Sequence, residues 1–178
     1  MNNRNIKIGI RLILLLAIDI FVVSRLEIGI YFIPHIYFLS LIMLPVRTSK
    51  AVLLLFGFFT GLAMDLFMNT GGLHAAATTM MAFLRILILR FYMGPEDEDN
   101  NISPALYSFG IRRYLYFSGF LILIHHLTFF SLEVFKADYI WMIVLKSLAS
   151  TTLNILLLMF ILMLFTKPAK KKNERRKR

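Results

Sequence analysis

AVLLLFGFFTGLAMDLFMNTGGLHAAATTMMAFLRILILRFYM, residues Ala51 to Met93, decides the fold. Two apolar runs, Ala51 to Met68 and Leu73 to Met93, each approach the ~20 residues that cross a ~30 Å hydrocarbon core. The turn NTGG, Asn69 to Gly72, joins them, so the stretch reads as a helical hairpin in a membrane. Within the first run Gly57, Gly61 and Asp65 recur at i, i+4, i+8 and share one helix face. Gly57 to Gly61 is a G-x-x-x-G pattern that lets another helix approach closely, with Thr60 beside it to hydrogen-bond across. His74 opens the second run and shares a face with Arg85, eleven residues on. A hydrogen bond from His74 to Asp65 across the turn is expected, with Arg85 snorkelling to the cytoplasmic surface.

The rest of the chain obeys the same logic. Of 178 residues, 58% are apolar and 17% charged, against about 25% charged in soluble domains. With a mean hydropathy of +0.72, the polar surface cannot cover a water-facing fold. Gaps between charges mark six spans: about 10–23, 28–44, 51–68, 73–93, 114–135 and 139–165. Residues 1–166 thus form one membrane domain, all-α, and 167–178 a basic tail. No small-x-small cleavage site follows the first run, which favours a retained helix over a cleaved signal peptide. Pro34 and His35 interrupt the second run, and a re-entrant segment there is the competing reading.

With both termini in the cytoplasm, basic residues divide 17 to 3 in favour of that side, as the positive-inside rule demands. The tail carries Lys170, Lys171, Lys172, Arg175 and Arg176 and is expected to lie on anionic lipid rather than bind nucleic acid. The acidic loop Gly94 to Pro104, with Glu96 to Asp99 at its centre, reads as a solvated turn or a docking loop for a basic partner.

Ionisable groups inside hydrocarbon cost at least ~2.5–3.5 kcal/mol on insertion scales, so each needs a partner or a role. Asp19 is expected to pair with a basic or hydroxyl side chain of another helix. His125 and His126 lie mid-span on adjacent faces, and Ser147, Ser150, Thr151 and Asn154 form a polar stripe beside Lys146. These read as internal packing. No catalytic residues, metal site or cofactor are expected: cysteine is absent, the four histidines are scattered along the chain, and no hydrolase or nucleotide-binding motif occurs. Asp19 and Asp65 are the one carboxylate pair that an intramembrane aspartyl hydrolase could use, without supporting sequence around them.

The segment Gly57 to Leu84 resembles the central signature of the rod shape-determining protein MreD family: glycines before an Asp at a helix end, a small-residue turn, then Gly-Leu-His opening the next helix. Gly61, Asp65, Gly72, Leu73 and His74 fall on the family positions, and the acidic insert Glu96 to Asp99 departs from the pattern. The resemblance implies a multi-pass protein of the bacterial inner membrane in the elongasome. It would work with an MreC-like bitopic protein, MreB, RodA and a class B penicillin-binding protein in rod-shape peptidoglycan synthesis. It also implies a fold similar to the S component of energy-coupling-factor transporters, hence a second reading as a vitamin-binding subunit. The short outer links favour the scaffold. Gly57, Thr60, Gly61, Asp65, Gly72 and His74 are then the expected partner-binding face.

Overall fold

The computed structural model describes residues 3–23, 26, 34–93 and 109–165, and among them every regular element is helical. The acidic loop, residues 28–33 of the second expected span and the basic tail lie outside the described residues. Helix α1 is Asn3–Phe21, α2 is a single turn, Leu39–Ile42, α3 is Lys50–Met68 and α4 is Leu73–Tyr92. Helix α5, Ile111–Val134, leads through a 3-10 turn, Ala137–Tyr139, to α6, Ile140–Phe165.

Four of these helices are long and apolar enough to cross a membrane: Lys50–Met68, Leu73–Tyr92, Ile111–Val134 and Ile140–Ile161. Helix α1 contributes a shorter apolar stretch, Leu12–Phe21. Their outer faces carry Phe58, Phe59, Leu66, Phe67, Phe91 and Trp141 exposed. A water-soluble monomer rarely shows so much contiguous apolar surface; a membrane-embedded one requires it.

Local chemistry sets the helix ends. Ser49 caps α3, its hydroxyl accepting from the Val52 N–H. At the other end Asn69 turns left-handed (φ 56°) and closes α3 onto the Asp65 carbonyl, and Gly71 and Gly72 continue the turn at φ 61° and 98°. Helix α5 ends similarly on Phe135 at φ 45°.

Packing runs in chain order: α3 along α4, α4 along α5, α5 along α6, with α1 against α2 and α3. The α3–α4 contact is close because Gly61 has no side chain. A Cβ there would stand 2.6 Å from the Ala75 Cα, and one on Gly57 would stand 2.9 Å from the Ala82 Cβ. The small-residue face expected to receive a partner is therefore filled by α4 of the same chain, which corrects that expectation. Thr60 does not reach across either; its hydroxyl donates to the Phe56 carbonyl one turn back.

The described part of the second expected span, 34–44, also departs from expectation. Pro34 to Leu44 is an almost wholly buried wedge with one turn of helix, not a continuous helix. The cause is that other side chains have taken its amides. Pro34 has none, the His35 N–H goes to Asn154, and those of Ile36 and Tyr37 go to Asp19. Irregular backbone at membrane depth is tolerated when protein surrounds it, as here. Tyr37, Phe38, Leu41 and Ile42 of the wedge are fully enclosed and pack with Leu53, Met64, Met81, Phe117 and Leu121 into one core.

Candidate functional site: a buried polar hub

The wedge brings the scattered polar residues together. Asp19, near the end of α1, accepts three hydrogen bonds: from His35 Nδ1 at 2.9 Å, from Ile36 N at 2.5 Å and from Tyr37 N at 2.7 Å. As a carboxylate Asp19 can only accept, and its bond to the ring then takes the His35 proton on Nδ1. The partner expected for Asp19 was another helix; it is the broken segment instead.

Tyr37 occupies the centre. Its hydroxyl lies 2.7 Å from His125 Nε2, 3.0 Å from Thr78 Oγ1 and 3.2 Å from His74 Nδ1. Counting protons fixes the directions. The Thr78 hydroxyl donates to the His74 carbonyl at 2.7 Å, so toward Tyr37 it must accept. Tyr37 therefore donates to Thr78, and both imidazoles donate to the two lone pairs of Tyr37. That places the His125 proton on Nε2 and leaves its Nδ1 as a bare acceptor, buried and without a partner among the described residues.

Asn154 closes the ring from α6. Its Oδ1 accepts the His35 N–H at 2.6 Å, while its Nδ2 donates to the Ser150 carbonyl and, at 2.9 Å, to His126 Nε2. Accepting at Nε2 makes His126 the Nδ1 tautomer. All four histidines thus meet in one cluster, edge to face for His35 with His74 (4.9 Å between centroids) and His125 with His126 (5.3 Å). No three His, Asp or Glu side chains among the described residues are placed to hold a metal ion.

Asp65 sits on a separate hub. Its carboxylate accepts from the His74 N–H at 2.9 Å, the Ala75 N–H at 2.8 Å and the Thr70 hydroxyl, so it caps α4 through the orphan amides of the first turn. The expected bond to the His74 ring is replaced by one to the His74 backbone, and the ring faces Tyr37. Asp19 and Asp65 therefore serve different segments. Gly72 lies in the same turn and supplies its left-handed conformation.

Arg85 departs most from expectation. It does not snorkel: it is 1% exposed, and its Nη2 donates to the carbonyls of Leu44 and, at a long 3.5 Å, Ile42, at the C-terminal end of α2. A cation at a helix C-terminus meets orphan carbonyls and the negative end of the dipole. Lys146 leans over the Phe130 ring, 5.6 Å from its centre.

Tyr37 is the residue that reading the chain missed. Its signal was indirect: a Pro-His pair inside an apolar run marks a broken segment, and the next polar atom along is the Tyr37 hydroxyl. Among the described residues, fold and hub together make an all-helical, membrane-embedded protein whose polar core ties α1, α4, α5 and α6 to an unwound wedge. The chain matches no protein-family model, no curated protein and no solved structure.

Proposed function

We propose that the chain is a non-enzymatic scaffold of the bacterial cell-elongation machinery, of the rod shape-determining MreD type. It would sit in the inner membrane with both termini cytoplasmic and hold the transmembrane helix of an MreC-like bitopic partner. The observation that supports this reading is the use made of the signature residues. Gly61 seats α3 on the backbone of α4, Asp65 caps α4, Gly72 makes the turn, and His74 bonds the wedge through Tyr37. These residues shape and lock one hairpin, which is what a part presenting a fixed surface to partners requires.

Because α4 fills the glycine face, the seat for a partner helix lies elsewhere. An apolar groove of about 350 Å³ runs between α1 and α3, lined by Leu12, Leu16, Val52, Leu55, Phe56 and Phe59. A transmembrane helix packed there gains van der Waals contact that fluid lipid chains match poorly.

The test is a detergent pull-down of the tagged chain from its native membrane, with mass spectrometry of proteins and small molecules that accompany it. Recovery of an MreC-like protein or cell-wall synthases, reduced by Leu55→Ala with Phe59→Ala, is the expected result. Recovery of a vitamin-sized ligand with a coupling membrane protein and ATPases would replace the scaffold by a transporter subunit.

A further inference from the structure

Positive φ angles among the described residues fall on Asn69, Gly71, Gly72, Gly110 and Phe135. Glycine and asparagine enter the left-handed region readily, whereas a bulky side chain does so rarely. Phe135, at φ 45°, is therefore the exception. It closes α5 by donating its N–H to the Ser131 carbonyl at 3.0 Å, at the position that helices most often give to glycine. No packing inside the protein accounts for a phenyl ring there, because Phe135 is 82% exposed. In water the position would carry two costs at once: a backbone conformation that opposes its side chain, and a bare apolar ring.

What covers the ring follows from its neighbours. The turn Phe135 to Tyr139 joins two helices long and apolar enough to cross a membrane, so it lies where the chain leaves the hydrocarbon and returns to it. Trp141 is as exposed as Phe135, and Leu132, Tyr139 and Ile140 are exposed around them. Glu133, Lys136 and Asp138, exposed too, stand between these apolar groups. Aromatic rings interleaved with charges match the layer where headgroups meet acyl chains. Two acids and one base offer no net attraction to anionic headgroups. The opposite end of the bundle differs, with Arg47, Lys50, Arg90, Arg112 and Arg113 exposed and no acid among its described residues.

We propose that Phe135 is a lipid anchor: the left-handed cap of α5 holds its ring out of the bundle and in the glycerol layer of the bilayer, where with Tyr139 and Trp141 it fixes the depth of the α5–α6 pair. The occupant of this patch is lipid of any headgroup charge. Apolar area removed from water, rather than ion pairing, supplies the attachment. The unfavourable backbone of Phe135 is thereby offset by the bilayer and not by contacts within the protein. Since α5 carries His125 and α6 carries Asn154, the anchor also sets the depth of that side of the hub.

Trp141 is the only tryptophan, so Phe135→Trp combined with Trp141→Phe in the full chain places a single fluorophore at the cap. The protein is reconstituted in phosphatidylcholine vesicles whose acyl chains carry bromine either near the glycerol or near the chain end, and is titrated separately with aqueous iodide. The expected result is strongest quenching by bromine near the glycerol, and an iodide quenching constant at least about fivefold below that of free tryptophan. Adding anionic phosphatidylglycerol should leave the bromine pattern unchanged; a pattern that appears only with the anionic lipid overturns the proposal. Iodide quenching close to that of free tryptophan puts the ring in water and overturns it as well. Protection from both quenchers would place protein on the patch, a second copy of the chain if dilution with lipid relieves it, and is equally fatal. Phe135→Gly, which takes the same φ without a side chain, decides the matter should the tryptophan variant fail to fold. In it the native Trp141 should move toward water, with iodide quenching raised about twofold or more over the native chain, and unchanged quenching refutes the anchor.

Discussion

Asp19 shows how one side chain can dictate a segment's conformation. An isolated carboxylate in a span is costly, yet this one is met by three donors within 2.9 Å, and two of them are backbone amides that a helix would otherwise have used. Asp19→Asn retains the size and one acceptor but turns the second acceptor into a donor. With the Asn oxygen on the Ile36 and Tyr37 amides, the NH₂ faces His35 Nδ1, so His35 must move its proton to Nε2, and three bonds to an ionised acceptor become weaker neutral ones, at a cost of about 1–3 kcal/mol. The expected outcome is a lower midpoint in denaturant titration of the purified protein, with Thr128→Val, whose hydroxyl bonds only its own helix, changing little. Equal stability of Asp19→Asn and the native chain would mean that the carboxylate does not hold the wedge.

At the scale of the element, the α3–α4 hairpin separates two kinds of glycine. A methyl on Gly61 would meet the backbone of His74 and Ala75, which cannot give way without parting the helices. A methyl on Gly119 would meet only the Ile155 Cδ1 at 3.1 Å, the far end of a flexible side chain. Gly61→Ala should therefore cost about 1–3 kcal/mol through overpacking, while Gly119→Ala should be near neutral. Parallel thermal unfolding of the two variants in one detergent checks the contrast. By the same argument Gly61→Leu disrupts the hairpin itself, so loss of a partner in that variant would not locate the partner's seat.

This hairpin was also the legible part of the chain. Apolar runs and turn chemistry placed the helices at 51–68, 73–93, 114–135 and 139–165 within a few residues of Lys50–Met68, Leu73–Tyr92, Ile111–Val134 and Ile140–Phe165. Hydropathy is a local quantity, and these helices are fixed locally. The wedge is not: its backbone is set by Asp19 and by Asn154, 119 residues from His35, and no spacing rule reaches that far. For the same reason His35, His74, His125 and His126 looked scattered, and only the polar stripe of α6 hinted that they needed a common neighbour.

Across the whole molecule, two patterns of connection compete. Helix-to-helix packing is sequential, which by itself would let α6 peel away from α5 without disturbing α1 or α3. The hub opposes this, because Asn154 binds α6 to the wedge, and the wedge is held in turn by α1 through Asp19 and by α4 and α5 through Tyr37. Cooperative unfolding then depends on one side chain. Trp141, the only tryptophan, lies in the first turn of α6 and reports on that helix, whereas far-ultraviolet circular dichroism reports on all of them. In the native chain the two signals should share one transition, the mark of a single cooperative unit. Asn154→Leu keeps α6 apolar but frees the His35 amide and His126 Nε2, so the Trp141 transition should move to lower denaturant and leave the dichroism transition behind. Coincident curves in the variant would show that α5–α6 packing alone carries the coupling, and that the polar ring adds no cohesion to the fold.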